Sequence, residues 1–151
     1  MTLSKKSHSK FCISPNSNIR DTFNQFKDVG ITCLVVVEKA KFLGTITDGD
    51  IRKELLAGSN MRTPIKDMYQ KNAFFILQDD AGDHNKIKKA FIKKRYNLIP
   101  IIDAKNNLIK VITWFDFFGK KEAIRKFQVP MVVMAGGKGS RMAPFTNILP
   151  K

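Results

Sequence analysis

An internal repeat constrains the fold of this chain more than any other feature of its sequence. Residues 43–50 read LGTITDGD and residues 108–116 read LIKVITWFD, so an apolar stretch is followed each time by Thr-x-x-Asp. The stretches before them also correspond, because residues 35–38 and 100–103 are apolar runs that end in an acidic residue. Such a repeat predicts two units with the same plan of folding.

The first copy predicts a helix, two strands and a second helix. Apolar residues recur at helical spacing from residue 19 to 29, and Gly30 follows as a helix end. Residues 31–37 and 42–47 are predicted strands joined by a polar turn. A second helix is predicted from Asp48, after a Thr/Asp cap.

The second copy repeats this order, and a strand at the start of each copy completes a β-α-β-β-α unit. Its elements are a helix that contains Ile87 and Phe91, strands at residues 97–102 and 108–112, and a helix from Trp114. A unit this small cannot bury its sheet alone, so the two units are expected to pack together. The predicted fold class is α/β (α+β).

Composition excludes some classes of function. The net charge of +14 comes from 27 basic and 13 acidic residues, and it permits a nucleic-acid partner. The basic residues are spread along the chain, however, and the cluster at residues 86–95 shares a predicted helix with apolar Ile87, Ala90 and Phe91. We interpret that cluster as a solvated helix face.

The same sequence predicts a cytoplasmic protein without a metal site. Residues 1–10 lack the apolar core of about 7 to 15 residues that a secretory signal requires, and no apolar stretch approaches the about 20 residues of a membrane span. Cys12 and Cys33 are expected to be buried apolar side chains. His8 and His84 have no partner at metal-ligand spacing and are expected to be exposed.

The two Thr-x-x-Asp copies resemble a pair of CBS (cystathionine-β-synthase) domains, a Bateman module, over about residues 11–118. The stretch from residue 44 to 50 resembles the Gly-x-x-Thr-x-x-Asp signature of that family. The resemblance implies an adenosyl effector in the cleft between the repeats, AMP, ADP, ATP or S-adenosylmethionine, and a homodimer. It also implies that Thr47 and Thr113 contact the phosphate or ribose, and that Asp50 and Asp116 accept hydrogen bonds from ribose hydroxyls.

Two other interpretations of these residues remain open. Each threonine can be a helix N-cap, with its aspartate at the third helical position in a capping box, and the pair can serve as a dimerisation platform without a ligand. The second copy also departs from the signature: Lys110 replaces the glycine, and bulky Trp114 and Phe115 follow Thr113. The first site is therefore the better candidate, while Lys110 could neutralise a phosphate in the second.

The last residues of the chain carry a second motif. An apolar run at residues 131–135 leads directly into Gly136-Gly137-Lys138-Gly139-Ser140-Arg141, which is typical of a strand that enters a phosphate-binding loop. A Walker loop requires Gly-Lys-Ser/Thr, and a dinucleotide fingerprint requires a third glycine where Met142 lies, so neither template fits.

Residues 134–151 instead resemble the opening signature of the sugar-phosphate nucleotidylyltransferases. The resemblance implies that Gly136, Gly137, Gly139 and Ser140 bind a nucleotide, and that Arg141 and Lys151 contact the reacting phosphates. It further implies an enzyme that uses Mg²⁺ and a nucleoside triphosphate, with a mannose-1-phosphate guanylyltransferase-like activity that supplies nucleotide sugars for surface glycans. The magnesium ligands would lie beyond Lys151, so we expect these residues alone to be inactive.

These inferences predict five segments. Residues 1–10 are a basic tail, 11–61 and 62–118 the two CBS repeats, 119–128 a linker, and 129–151 the first strand and loop of a truncated Rossmann-like nucleotidyltransferase domain. The expected function of the repeats is to bind a nucleotide and regulate that domain. A ligand-free dimerisation platform is the alternative, and a nucleic-acid-binding module is the most distant one.

Overall fold

The computed structural model describes residues 8–119, and these contain two units with the same order of elements. The first unit begins with a short 3-10 turn at Ser9–Phe11. Its strands and helices are β1 (Cys12–Ile13), α1 (Ile19–Val29), β2 (Cys33–Glu38), β3 (Lys41–Thr47) and α2 (Asp48–Leu56). The second unit is β4 (Ile76–Leu77), a 3-10 turn (Gln78–Asp80), α3 (His84–Lys94), β5 (Leu98–Ile102), β6 (Leu108–Thr113) and α4 (Trp114–Phe118).

Each unit contains a sheet of three strands with the same connections. In the first sheet β1 lies parallel to β2, and β2 pairs antiparallel with β3. In the second, β4 lies parallel to β5, and β5 pairs antiparallel with β6. The predicted fold class and the β-α-β-β-α repeat are confirmed.

Local chemistry fixes the ends of the first helix. The Asn18 side chain accepts a hydrogen bond from the Asp21 amide at 2.9 Å, which caps the N-terminus of α1. Gly30 ends the helix in the left-handed conformation, with φ 72°, where a residue without Cβ is favoured. The chain can then turn directly into strand β2.

Strand β2 is buried on both faces, which explains its unbroken apolar sequence. Leu34 and Val36 pack into a core with helix residues such as Ile19 and Ile51. Cys33 and Val35 point to the opposite face and pack against the second unit. A strand covered on both sides loses the alternation of polar and apolar residues that marks a half-exposed strand.

A shared apolar core joins the two units. It combines Phe11, Cys33, Val35 and Phe42 of the first unit with Leu98, Ile102 and Val111 of the second. The hairpin turns also pair with each other, since the Phe42 amide donates to the Asn106 carbonyl at 3.0 Å and the Leu108 amide to the Ala40 carbonyl at 2.9 Å. The expectation that the repeats pack on each other is confirmed.

The segment after α2 returns along the first unit. Ile65 and Met68 belong to the core of that unit, although a repeat boundary at residue 62 assigns them to the second. The backbone of Gln70 pairs with Thr45, with N–H to carbonyl distances of 2.8 and 3.2 Å, and so lies along the edge of strand β3. This stretch packs against the first unit because its two apolar side chains are buried there.

Helix α3 has the two faces that the sequence predicts. Ile87 and Phe91 are buried, while the lysines of the helix are exposed. Among residues 8–119 no helix has the length and apolar character required to cross a bilayer.

We expect Gly44→Ala to destabilise the protein. A Cβ at Gly44 would lie 2.2 Å from the carbonyl oxygen of Gln70, so the paired segment would have to move. We predict a loss of about 1–3 kcal/mol in the free energy of unfolding, measured by urea denaturation. Gly82→Ala is the matched control, because a Cβ there meets nothing within 4 Å. Equal stability of the two variants would contradict the close approach.

Candidate functional site

A cavity of about 340 Å³ lies between the two units, beside the end of strand β3. Its walls combine hydroxyl, amide, guanidinium and aromatic groups from both units. The lining residues are Cys33, Thr45, Thr47, Gln70, Asn72, Ala73, Phe74, Arg95, Tyr96, Asn97 and Leu98. We call this space the first cavity. Its volume is near the lower end of the range of about 300–1,000 Å³ that small-molecule sites occupy.

Thr47 lines the first cavity and also caps helix α2. Its hydroxyl oxygen accepts from the Asp50 amide at 3.3 Å, and its own amide donates to Asp50 Oδ2 at 2.9 Å. The Thr47 hydroxyl also donates to Asp50 Oδ2 at 2.7 Å. The capping box is therefore present, and it holds the threonine side chain at the edge of the cavity.

Asp50 lies behind Thr47, outside the set of residues that line the cavity. Its second carboxylate oxygen, Oδ1, accepts from the Gln70 side-chain amide at 2.9 Å. Gln70 lines the cavity, and its backbone pairs with Thr45. The aspartate thus connects the helix cap to the segment that joins the two units.

The cationic group of the first cavity is Arg95, the residue that ends helix α3. Arg95 has φ 53°, a left-handed conformation that is uncommon for residues with a Cβ. Asn97, two residues later, donates from its side-chain amide to the Thr32 hydroxyl at 3.4 Å. The sharp turn between α3 and β5 therefore presents a guanidinium and an amide to the same space.

Two aromatic rings form one wall. Phe74 and Tyr96 stack with centroids 5.1 Å apart and an interplanar angle of 14°. Phe74 is 38% exposed, so part of its ring remains open to a ligand. A flat apolar wall beside hydroxyl and amide groups suits a heterocyclic ring that also forms hydrogen bonds.

Cys33 lines the first cavity, and its thiol is unreactive. Burial, with smaller contributions from the carboxylates of Asp50 and Asp48, raises the pKa of its thiol to about 12. A thiol with such a pKa stays protonated at neutral pH and is a poor nucleophile. The expectation of a buried apolar role holds for Cys33, whereas Cys12 is only partly buried.

The second repeat contains the same capping box. The Thr113 hydroxyl accepts from the Asp116 amide at 3.1 Å, and the Thr113 amide and hydroxyl donate to Asp116 Oδ2 at 3.2 and 2.7 Å. Thr113 is buried, whereas Asp116 is exposed. Neither of these residues lines the first cavity, so Thr47 is the one member of the two Thr/Asp pairs that lines it.

His8 lies near the second capping box and is half-buried. Desolvation lowers the pKa of its imidazole, Lys110 lowers it further, and Asp116 together with a hydrogen bond to the Val111 backbone opposes these effects. The neutral imidazole is therefore favoured in the folded protein. His84, in contrast, is exposed as expected.

The glycine-loop residues Gly136, Gly137, Gly139, Ser140, Arg141 and Lys151 lie outside the described residues, as does the linker from residue 120. Within the described range, no group of at least three His, Cys, Asp or Glu side chains is arranged to hold a metal ion.

Sequence reasoning missed most of the first cavity. It identified Thr47, but Gln70, Asn72, Arg95 and Asn97 follow no motif. The sequence pattern assigns Arg95 to the solvated basic face of a helix. It does not indicate that the helix ends at Arg95 in a left-handed conformation, because glycine is the usual residue at such an end.

Comparison with known proteins agrees with this architecture. Residues 7–57 match the family model described as the CBS domain. The arabinose 5-phosphate isomerase KdsD of Francisella tularensis subsp. tularensis is 26% identical over 107 residues, which are 69% of this chain and 32% of the isomerase. The chain thus spans about a third of the length of this curated relative.

Two solved structures resemble the fold at low sequence identity. The structure of CBSX2 in complex with AMP aligns with a TM-score of 0.60 and 14% identity, covering 75% of this chain and 86% of that one. A protein with CBS domains from Burkholderia ambifaria MC40-6 aligns with a TM-score of 0.64 and 17% identity, covering 85% and 94%. The match of residues 7–57 and these alignments agree that the described part of the chain has the fold of a pair of CBS domains.

Proposed function

We propose that the first cavity binds an adenine nucleotide and that the CBS pair is a regulatory module. One observation carries the proposal: the Thr47 hydroxyl, the Arg95 guanidinium and several side-chain amides line one cavity of about 340 Å³ between the repeats. A nucleotide needs this combination of a cation for its phosphate, polar groups for its base and ribose, and an aromatic surface. The AMP complex of CBSX2, which has the same fold, supports this choice of ligand.

Arg95 is the group we assign to the phosphate. It is the arginine among the cavity residues, and a guanidinium binds phosphate oxygens through two parallel hydrogen bonds. The Thr47 hydroxyl can add a hydrogen bond from the opposite unit when its proton turns from Asp50 Oδ2 to the phosphate. Because the two groups belong to different repeats, one phosphate would connect both units.

Phe74 and Tyr96 are assigned to the base. Their stacking distance of 5.1 Å leaves no room for a further ring between them, so the base would lie against the accessible part of Phe74. Asn72 and Asn97 can then form hydrogen bonds with the edge of the base, since a side-chain amide offers both a donor and an acceptor.

Asp50 gives the site a means of regulation. Asp50 lies behind the cavity lining, where its Oδ1 atom accepts from the Gln70 side-chain amide, and a ribose hydroxyl would reach this oxygen by displacing that side chain. Binding would then release the Gln70 side chain, whose backbone pairs with the edge of strand β3. A ligand that favours the released state shifts the population of the connecting segment.

We infer that Thr113 and Asp116 form a weaker second site. Their capping box is intact, and Lys110 can neutralise a phosphate nearby. Trp114 and Phe115 are bulky where the first repeat has Asp48 and Gly49, so the two sites would differ in shape.

We further propose that the module regulates a sugar-phosphate nucleotidylyltransferase of the guanylyltransferase type. The support is the signature at residues 134–151, in which Gly136, Gly137, Gly139 and Ser140 would bind the nucleoside triphosphate and Arg141 and Lys151 its phosphates. Mg²⁺ would serve that enzyme alone. The isomerase relative aligns over only 32% of its length, so its match does not extend to a whole catalytic chain.

The module is also proposed to form a homodimer through helix α4. Phe115 is 78% exposed on this helix, and Trp114 beside it is 45% exposed. Large aromatic side chains are enriched at protein interfaces, and a second copy of the module would cover Phe115, which lines neither cavity.

Calorimetric titration with AMP, ADP, ATP, S-adenosylmethionine and GTP tests the effector site. We expect saturable binding of an adenosyl ligand, with affinity at least about ten-fold lower in Asp50→Ala because a ribose acceptor is lost. Asp116→Ala is the matched control for the first cavity: it removes an equivalent capping box, with a similar stability loss of about 0.5–2 kcal/mol, and is expected to affect the weaker second site alone. Absence of binding by folded protein would favour the dimerisation platform instead.

A second titration tests the phosphate assignment. Arg95→Gln is expected to lower the affinity for AMP about ten-fold or more while leaving the affinity for adenosine unchanged, because only AMP carries the phosphate. Lys94→Gln is the control, since Lys94 is an exposed cation one residue away that does not line the cavity. Equal losses for AMP and adenosine would contradict the assignment.

Sedimentation velocity tests the dimer. Phe115→Ser is expected to shift the protein towards monomer, because it removes the exposed aromatic ring from α4. Ile109→Ser removes a 47% exposed apolar side chain from strand β6 and is expected to leave the association unchanged. A wild-type protein that stays monomeric at all concentrations would contradict the proposal.

A further inference from the structure

A second cavity of about 340 Å³ lies beside the first and is lined by residues of the second unit alone. Its walls are Phe91, Ile92, Arg95, Tyr96, Asn97 and Trp114. Thr113 and Asp116 are absent from this lining, so the second cavity is distinct from the capping-box motif. It also has no counterpart in the sequence signature of either repeat.

Trp114 supplies the second cavity with an aromatic surface. Its indole is 45% exposed and is held by an edge contact with Phe91, at a centroid distance of 5.7 Å, and by Phe118, at 4.2 Å. The Trp114 amide also donates to the Asn97 carbonyl at 3.1 Å. The ring is therefore fixed from one side and accessible from the other, which suits stacking with a planar ligand group.

The two cavities share Arg95, Tyr96 and Asn97 as their common boundary. Three consecutive residues span at most about 10 Å even when fully extended, so the cavities are neighbours. Each is lined by an aromatic ring of its own, Phe74 in the first and Trp114 in the second, and Arg95 lines both. A cation between two aromatic cavities matches a ligand with an anionic centre and a flat ring at each end.

We propose that the two cavities together form one site for a dinucleotide whose nucleosides are joined by a pyrophosphate. One nucleoside occupies the first cavity, Arg95 binds the bridging phosphates, and the second base stacks on Trp114. This proposal rests on the proposed nucleotide binding at the first cavity and names the ligand class more closely.

The chain contains a single tryptophan, so the intrinsic indole fluorescence reports on the second cavity directly. We would titrate the full 151-residue chain with diadenosine pyrophosphate, ADP-ribose and AMP, and follow both calorimetric heat and Trp114 emission. Diadenosine pyrophosphate is expected to bind with one molecule per chain and to change the emission. ADP-ribose and AMP lack the second base and are expected to bind without that change.

Substitutions of Trp114 distinguish stacking on a ligand base from a role in packing alone. Trp114→Leu is expected to lower the affinity for diadenosine pyrophosphate about ten-fold, since loss of one base stack has an effect of this order, while the affinities for AMP and ADP-ribose stay within two-fold. Trp114→Phe keeps an aromatic ring and is expected to restore most of the affinity. Circular dichroism of both variants would verify that the protein is folded.

The outcomes separate the two proposals. If AMP binds but diadenosine pyrophosphate binds no more tightly than ADP-ribose and leaves the emission unchanged, the dinucleotide proposal is wrong and nucleotide binding at the first cavity stands. Binding of two AMP molecules per chain with an emission change would also overturn it, in favour of independent sites. If none of the three compounds binds, both proposals fail.

Discussion

The apolar layer between strands β2 and β5 is the contact on which the rest of the structure depends. Cys33 and Val35 on one side, with Leu98 and Ile102 on the other, bury the inner faces of two small sheets that each consist of three strands. A unit of this size buries only a small apolar core by itself, so the contact with the second unit contributes a large share of the buried surface. The repeats are therefore stable as a pair, and the hydrogen-bonded hairpin turns fix their relative position.

The first cavity is a consequence of that packing. Cys33 and Leu98 belong to the shared core and also line the cavity, which opens where the paired strands begin. The polar groups around it come from separate parts of the chain: the cap of α2, the segment that returns along β3, and the turn after α3. Any change in how the repeats pack would therefore move these groups relative to one another.

Asp50 connects two structural elements at the same time. Its Oδ2 atom completes the helix cap, and its Oδ1 atom holds Gln70. The second repeat keeps the cap but has the bulky pair Trp114-Phe115 where the first has Asp48-Gly49. The duplicated motif has thus retained its structural function in both copies, while the surroundings of the two copies have diverged. The adjacent aromatic cavity at Trp114 is a product of that divergence.

The sequence by itself determined the repeat, the class and order of elements, and the pairing of the units, because these follow from periodicity, caps and an apolar run buried on both faces. The spacing of Thr47 and Asp50 also indicated the capping box that the structure contains. Three contacts were decided only by the tertiary structure. Ile65 and Met68 complete the first core, the Gln70 backbone lies too close to Gly44 to leave space for a Cβ, and Arg95 lines the same cavity as Thr47. These are contacts between residues distant in the chain, and local sequence patterns carry no information about which distant surfaces meet.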